Sequence, residues 1–277
     1  MDYRKIYRNM AKLSKIDMFY FDTKTPGETI LCLHGLYGRA ETWVDFINQY
    51  GSQYRIIAPD QRGHGLSSRP VSKYTAEEMA EDIAELLDYL QLDSIILVGH
   101  SMGGEIAAFL ASAHPESIRA AALLDKSAAG PAKENPLPLN QFSAPDSVTQ
   151  NWPVPFSSLH EAKSYIKQAA ISDLEYDYFM NSVKETVKGY EMMFDQKAMS
   201  AWRFYNKSWY HLLPEITCKV LLIRSNGNSV ISDEDFTKMQ SLLPNCMARE
   251  MSHPDHNVHL ADKEEFYKYF DEFLKTL

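Results

Sequence analysis

The chain has 277 residues, of which 45% are hydrophobic, so it carries enough apolar side chain for a large core and a disordered protein is excluded. Its 28 basic and 37 acidic side chains give a net charge of −9 at pH 7, which disfavours nucleic acid as a partner because the phosphate backbone is repelled. No apolar run approaches the roughly 18 residues that span a bilayer, and the amino end leads into no apolar stretch of the signal-peptide type. We therefore expect a cytoplasmic protein without a membrane span.

Three cysteines, Cys32, Cys218 and Cys246, lie far apart in the sequence and beside or within apolar segments. An odd, widely spaced set suits buried thiols better than a disulfide framework or a zinc site. We expect all three to be core residues.

Short runs of β-branched and aliphatic residues alternate with helical patterns from residue 29 onward. This alternation predicts an α/β fold with a mainly parallel sheet covered by helices on both faces. Residues 74–90 place apolar side chains at helical spacing behind a capping box of Thr75 and Glu78, which predicts a helix. Predicted strands cover residues 16–21 (an antiparallel first strand), 29–33, 55–58, 95–98, 120–124, 220–223 and 247–251.

The alternation stops between residues 127 and 213, where a proline-rich stretch precedes helical patterns rich in aromatic residues and methionine. A structureless loop of this length is unusual in a compact domain, so we expect an inserted helical cap. Residues 1–126 and 214–277 would then form the core domain. Most aromatic residues of the cap are expected to pack it onto the sheet, and some to line what lies beneath.

Residues 99–103 (GHSMG) follow an apolar strand and open an apolar helix over residues 105–113. Strand, tight turn and helix are the context of a nucleophile elbow, which holds a serine clear of the sheet. A turn this tight leaves room only for small flanking residues, here Gly99 and Gly103. Ser101 is therefore the candidate nucleophile; the alternative is a glycine-rich junction with an incidental serine.

Residues 34–35 (HG) end an earlier predicted strand. The backbone N–H of the next residue, Leu36, can face the same place as that of Met102, which sits at the positive end of the predicted helix. Two such donors would form an oxyanion hole, which stabilises the charge that develops on a carbonyl oxygen during acyl transfer. The alternative is that His34 and Gly35 only mark the end of a strand.

Four separated motifs occur in one order along the chain: residues 34–35 (HG), 60–67 (DQRGHGLS), 99–104 (GHSMGG) and 255–259 (DHNVH). In these motifs the chain resembles the α/β-hydrolase fold superfamily over essentially its whole length. The resemblance implies a serine hydrolase with an inserted cap, close to carboxylesterases, lactonases, carbon–carbon bond hydrolases and cofactor-free haloperoxidase-like enzymes. It also implies a structural rather than catalytic role for residues 60–67.

The candidate base is His256, in a segment after the last predicted strand where a proline prevents a continuing helix. His253 and His259 compete on proximity, but the match of residues 256–258 (HNV) to the family pattern favours His256. A metal site formed by the three histidines is disfavoured, because no Cys or acidic residue has ligand spacing. The family usually has glycine where this chain has Asp255, a departure at the same loop.

The acid that orients the histidine is where this sequence departs most from the family. Many members place an aspartate after the strand matching residues 220–223, but there the alignment puts Asn228, which carries no charge to stabilise an imidazolium. Some relatives supply the carboxylate after the preceding strand, where Asp125 stands. Asp125 is therefore the candidate acid; alternatively it is a turn residue at a strand end.

Asp233 and Asp235 are rival acids. Ser232 followed by Asp235 resembles a capping box, so we interpret both acids as residues at the start of a helix.

Together these residues predict a serine hydrolase that cleaves a carboxylic ester, a lactone or a thioester of a small to medium apolar substrate through an acyl-enzyme. Such chemistry needs no metal and no organic cofactor. Two alternatives remain: a carbon–carbon bond hydrolase of the same fold, and a non-catalytic ligand sensor, which the uncharged Asn228 supports and which a carboxylate within reach of the base would disfavour. The substrate pocket is expected to include His34, His100, Trp152, Trp202 and Val230.

Overall fold

The computed structural model describes residues 5–131, 137–227 and 230–277. Within them the strands are β1 (Tyr7–Lys12), β2 (Asp17–Asp22), β3 (Thr29–Leu33), β4 (Arg55–Pro59), β5 (Ile95–His100), β6 (Ile118–Leu124), β7 (Val183–Thr186), β8 (Gly189–Met192), β9 (Lys219–Arg224) and β10 (Cys246–Glu250). The helices are α1 (Val44–Tyr50), α2 (Ala76–Leu90), α3 (Met102–Ala113), α4 (Leu159–Ala169), α5 (Asp173–Met180), α6 (Gln196–Tyr205), α7 (Asp233–Leu242), α8 (Val258–Ala261) and α9 (Lys263–Leu274). None of these described helices is long and apolar enough to cross a membrane.

Eight strands form one sheet in the order β1-β2-β4-β3-β5-β6-β9-β10. Six strands of this sheet run parallel to one another: β4, β3, β5, β6, β9 and β10. β2 is antiparallel to both β1 and β4. The predicted α/β fold with a mostly parallel sheet is confirmed. Because the central strands are parallel, the residues that follow β3, β5, β6 and β9 all meet at one edge of the sheet.

Helices cover both faces of the sheet, as predicted. Side chains alternate along each strand, so neighbouring residues enter different cores. On β3, Leu31 and Leu33 pack in the core that contains residues of α2 and α3. Ile30 and Cys32 pack in the other core, with aromatic residues of α1 and α9.

The main strand prediction that needs correction lies at the amino end. Residues 16–21 were expected to form the first strand, but β1 precedes the corresponding strand, β2, and pairs with it. β1 has the sequence YRNMAK, pairs with β2 alone at the edge of the sheet, and alternates between exposed and covered residues. An edge strand of this kind needs no apolar run, so periodicity gave no sign of it.

Two smaller predictions have different outcomes. Thr75 accepts a hydrogen bond from the backbone N–H of Glu78 (3.3 Å), so the predicted cap of α2 is confirmed. Of the cysteines, Cys32 is fully buried, whereas Cys218 and Cys246 are half-buried at the border of the core. Cys218 directly precedes β9, and Cys246 is the first residue of β10, the strand at the edge of the sheet.

Residues 127–213, here called the insertion, connect β6 to β9. The described part contains α4, α5, the β7–β8 hairpin and α6. Contacts tie it to the core: Ser182 Oγ donates to the Tyr37 carbonyl (2.7 Å), and the Asp195 N–H donates to the Gly63 carbonyl (2.8 Å). Because the insertion leaves the sheet after β6, these contacts bring it over the edge where the parallel strands end.

Candidate active site

Ser101 forms the turn between β5 and α3. Its φ of 53° and ψ of −117° lie in a region that residues with a side chain rarely adopt, and such strain persists only where the surroundings impose it. The Ser101 N–H donates to the Leu124 carbonyl (2.8 Å), and the Ser101 carbonyl accepts from the Gly104 N–H (2.8 Å). These two hydrogen bonds tie the turn to the end of β6 on one side and to the first turn of α3 on the other.

The glycines beside this turn are required by close backbone approach. A Cβ on Gly99 would lie 2.1 Å from the Gly103 carbonyl oxygen, and a Cβ on Gly103 would lie 2.2 Å from the Leu33 carbonyl oxygen. Both distances are far below contact, and the blocking atoms are backbone. A turn this close to β3 therefore requires glycine at both positions, which explains the two glycines of the GHSMG pattern.

An unbroken chain of hydrogen bonds links Ser101 to a buried carboxylate. His256 Nε2 lies 2.8 Å from Ser101 Oγ, and His256 Nδ1 lies 2.8 Å from Asp125 Oδ2. Asp125 is fully buried and also accepts from Ser225, through its N–H (2.8 Å, to Oδ1) and its Oγ (2.9 Å, to Oδ2). Asp125 follows β6 and Ser225 follows β9, so two neighbouring strand ends hold the carboxylate in place.

A second histidine holds the backbone of the His256 loop. His100 Nε2 lies 2.8 Å from the His256 carbonyl oxygen. A carbonyl only accepts, so Nε2 of His100 carries the proton. Burial lowers the pKa of His100 to about 3, which keeps this ring neutral near pH 7.

The other histidines considered for the base lie elsewhere. His259 is buried and stacks on Trp43 with ring centres 4.4 Å apart, and burial lowers its pKa well below the usual value. His253 Nδ1 accepts from the backbone N–H of Asp255 (3.1 Å). Neither ring bonds to Ser101, and within the described residues no group of three His, Cys, Asp or Glu side chains is arranged to hold a metal ion.

The rival acids occupy the start of α7, as the sequence predicts. Ser232 Oγ accepts from the Asp235 N–H (3.1 Å), which caps the helix, and Asp233 forms an ion pair with Arg224 (2.7 Å). Asn228, which the alignment placed at the usual position of the acid, lies outside the described residues.

The two candidate oxyanion donors border the same space as Ser101. Met102 is the first residue of α3, where N–H groups have no acceptor within the helix. Leu36 lies in the turn after β3 that the Gly38 N–H closes by donating to the Gly35 carbonyl (3.1 Å). Leu36 and Met102 both line the cavity that Ser101 opens into.

This cavity, of about 340 Å³, lies between the insertion and the sheet edge. Sequence reasoning missed most of its wall, although Tyr37 and Lys126 each adjoin a residue that it did select. A larger open groove of about 450 Å³ lies between Arg69 and Lys197 and contains none of the residues of the hydrogen-bonded chain. The cavity is lined by Leu36, Tyr37, His100, Ser101, Met102, Lys126, Val148, Glu175, Tyr178, Phe179, Trp202, Arg203, His256 and Asn257.

Of the five residues expected in the pocket, the structure brings His100 and Trp202 to the cavity wall. Trp152 does not reach it; this ring packs edge-on against Phe179, which does (centroids 4.9 Å apart). Val230 is half-buried and packs against the core just before α7. Neither residue lines the cavity, and the sequence pattern does not distinguish a wall residue from one packed nearby in the core.

His34, the remaining expected pocket residue, is fully buried and held by the 60–67 loop. Its Nδ1 lies 2.8 Å from the Gly35 carbonyl oxygen, and its Nε2 accepts from the Gln61 N–H (3.0 Å). In the same loop the Asp60 carboxylate accepts from the Leu66 N–H (2.8 Å). The ring nitrogens of His34 are thus used within the fold and do not face the cavity.

The sheet order and the serine turn define an α/β hydrolase, and the chain belongs to the α/β-hydrolase fold family, whose sequence pattern it matches over residues 28–263. Over 102 residues it is 34% identical to the 2-(acetamidomethylene)succinate hydrolase of Mesorhizobium japonicum, a match that covers 37% of each protein. The match therefore spans little more than a third of that relative.

Solved structures share the fold over nearly the whole chain. The crystal structure of E-2-(acetamidomethylene)succinate hydrolase has a TM-score of 0.78 at 20% identity, covering 98% of this chain and 100% of that chain. The enol-lactonase from Burkholderia xenovorans LB400 has a TM-score of 0.74 at 17% identity, covering 96% of this chain and 100% of that one. At these identities the likeness concerns the fold alone.

Proposed function

We propose that this protein is a serine hydrolase that cleaves a carboxylic ester, lactone or thioester through an acyl-enzyme. Ser101 Oγ attacks the carbonyl carbon while His256 Nε2 takes its proton, and the N–H groups of Leu36 and Met102 stabilise the charge on the carbonyl oxygen. His256 then returns the proton to the leaving group. In the second half of the reaction, His256 takes a proton from the water that attacks the acyl-enzyme and passes it to Ser101 Oγ, which leaves as the acid product forms. Asp125 holds the ring and stabilises its protonated form.

The observation that carries this proposal is the hydrogen-bonded chain, with 2.8 Å from Ser101 Oγ to His256 Nε2 and 2.8 Å from His256 Nδ1 to Asp125 Oδ2. A weak nucleophile, a base and a group that orients the base are the three parts that serine chemistry needs. A carboxylate within reach of His256 favours catalysis over ligand sensing, and the distance of 2.8 Å from His256 Nδ1 to Asp125 Oδ2 supports the enzyme. The 2-(acetamidomethylene)succinate hydrolase, which is 34% identical over 102 residues, supports hydrolysis as the class of reaction.

In this proposal the insertion is a cap, because α5 and α6 supply wall residues on the side of the cavity opposite the serine turn. A covered site of this kind keeps bulk water away from the acyl-enzyme and limits the size of the substrate. A carbon–carbon bond hydrolase would use the same machinery, so the assay below also includes a vinylogous 1,5-diketone as a comparison substrate.

The test is turnover of 4-nitrophenyl esters from acetate to octanoate by the wild type and by Ser101→Ala. We expect ester hydrolysis by the wild type and a loss of roughly 10³-fold or more in Ser101→Ala. Ser112→Ala is the matched control, because Ser112 lies on α3, the helix that follows the Ser101 turn, and its Oγ donates to the Phe109 carbonyl (2.9 Å). Equal rates in the wild type and Ser101→Ala would overturn the assignment, and cleavage of the diketone alone would move it to carbon–carbon bonds.

A further inference from the structure

Three of the described residues on the cavity wall carry a formal charge at neutral pH: Lys126, Glu175 and Arg203. Lys126 Nζ lies 3.1 Å from the carboxylate of Glu105, which is buried behind it. Glu175 Oε2 accepts from the Ile171 N–H (2.6 Å) and so helps to close the start of α5. Lys126 is therefore paired closely with a carboxylate, and Glu175 is engaged in a hydrogen bond at the start of its own helix.

Arg203 differs from these two. Its side chain is 45% exposed, its Nη2 donates to the Tyr37 hydroxyl (3.2 Å), and its Nε forms an ion pair with Asp146 Oδ1 (3.8 Å) that is too long for a hydrogen bond. The Asp146 carboxylate accepts instead from the Tyr37 hydroxyl (2.8 Å) and from Thr149 N–H (2.8 Å) and Oγ1 (2.6 Å). Within the described part of the chain, Nη1 of Arg203 meets no acceptor.

Two buried side chains hold this guanidinium in place. Tyr37 and Asp146 are both buried; the Tyr37 hydroxyl accepts a hydrogen bond from it and the Asp146 carboxylate lies 3.8 Å away. Tyr37 directly follows Leu36, the candidate oxyanion donor, so Arg203 is joined through one side chain to the loop where the reacting carbonyl would sit. A guanidinium presents a planar fork of N–H donors that matches a carboxylate in two parallel hydrogen bonds.

We propose that the substrate carries a carboxylate and that Arg203 binds it while Ser101 attacks the ester group of the same molecule. This inference rests on the proposed function and changes one expectation from the sequence, that of a small to medium apolar substrate, by adding a carboxylate to it. The aromatic part of the wall, formed by Tyr178, Phe179 and Trp202, then packs against the carbon skeleton between the two groups.

Two matched pairs of esters test this proposal. In 4-acetoxybenzoate and its methyl ester the carboxylate lies on the leaving group; in 4-nitrophenyl hydrogen adipate and its methyl ester it lies on the acyl group. For each pair we measure the ratio of kcat/KM for the charged over the neutral ester. In at least one pair the wild type should favour the charged ester, and Arg203→Gln should lower that ratio roughly 10- to 100-fold, mainly through KM.

Lys197→Gln is the matched control, because Lys197 lies on the same helix as Arg203 but is exposed and faces another groove. It removes one positive charge from α6 and should keep the ratio of the wild type. Arg203→Lys keeps the charge without the fork and should give an intermediate ratio; it also serves if Arg203→Gln proves unstable because Asp146 loses its partner. Equal ratios in the wild type and the Arg203 variants, or a preference of the wild type for the neutral ester in both pairs, would overturn the proposal.

Binding separates failure of this proposal from failure of the proposed function. Isothermal titration of adipate and of adipamide, a neutral analogue without an ester bond, needs no turnover, so it applies even if neither ester pair is hydrolysed. Binding of adipate to the wild type, lost in Arg203→Gln and not seen with the diamide, supports the carboxylate site. If adipate binds no better than the diamide, the carboxylate site is wrong, whatever the protein catalyses.

Discussion

At the scale of single residues, the position of Asp125 explains how a chain without a charged residue at the alignment position of Asn228 can still orient a histidine. Asp125 has a φ of 50°, an uncommon value for a residue with a side chain, and this turn carries its carboxylate toward His256. Ser225 satisfies the same carboxylate from the next strand. A charge buried this deeply needs several donors, and the ends of two strands provide them.

We expect Asp125→Asn to lower kcat for an ester by roughly 10³- to 10⁴-fold, because an amide neither stabilises a protonated ring nor fixes the required tautomer. The measurement is single-substrate kinetics with a 4-nitrophenyl ester, with circular dichroism to show that the fold is kept. Asp233→Asn is the control at an exposed helix start and should retain the wild-type rate. Turnover of Asp125→Asn within a factor of a few of the wild type would remove Asp125 from the mechanism.

Residue identity was predictable where the backbone imposes it. The turn around Ser101 admits only glycine at two positions, so its pattern is visible in the sequence, and the structure brings Ser101, Asp125 and His256 together as the motifs suggested. Their catalytic roles stay predictions. Arg203 could not be found in this way, because its significance depends on Tyr37 and Asp146, which are distant in sequence and carry no motif.

At the scale of elements, one side chain joins the His256 loop to the insertion. Asp255 Oδ2 accepts from Ser172 Oγ (3.0 Å), and its Oδ1 accepts from the N–H (2.8 Å) and the side chain (3.0 Å) of Asn257. Ser172 is also the N-cap of α5, the helix that carries Tyr178 and Phe179 to the cavity. The residue where the family usually has glycine thus connects the candidate base to one wall of the cavity.

We expect Asp255→Ala to lower kcat by roughly 10- to 100-fold, because small displacements of a catalytic group are costly to the rate. The same steady-state kinetics, read as separate kcat and KM values, measure this effect. Asp262→Ala is the contrasting control: Asp262 caps α9 by accepting from the Glu265 N–H (3.0 Å), so its loss should reduce the free energy of unfolding by about 1 kcal/mol and leave kcat as it was. Unchanged kcat in Asp255→Ala would show that the link to Ser172 does not position His256.

Elements with a strong local signal were predicted to within a few residues, and those without one were not. The central strands are continuous apolar runs because both of their faces are buried. β1 is an edge strand with a polar sequence, and its pairing with β2 is decided by tertiary contact. The contact between Ser172 and Asp255 spans 83 residues and likewise has no local signal.

At the scale of the whole molecule, four histidines are buried in the fold: His34, His64, His100 and His259. Burial is the main cause that lowers the pKa of each, to about 4 for His64 and about 3 for His100. These rings stay neutral in the folded protein, whereas in the unfolded chain they take up protons as the pH falls through about 6.5. The contribution of these neutral rings to the free energy of unfolding is therefore fully present above this pH. It is lost as the pH falls toward the pKa values of the rings in the folded protein.

We expect the free energy of unfolding in urea to fall between pH 6.5 and pH 5, by up to about 1.4 kcal/mol per pH unit for each such histidine. Tryptophan fluorescence at a series of pH values measures it. His64→Asn, which keeps a donor for the Arg62 carbonyl, should make the dependence shallower, and the exposed His160→Asn is its control. A free energy of unfolding that does not change between pH 6.5 and pH 5 would contradict this prediction.

Labelling of the folded protein with a fluorophosphonate, followed by peptide mass spectrometry, tests whether Ser101 is an activated nucleophile. Such reagents modify a serine only when a neighbouring base and an oxyanion site activate it. We expect rapid modification at Ser101 in the wild type and a much slower reaction in His256→Ala. A folded wild-type protein that is not modified, or is modified at another serine, would contradict this role of Ser101.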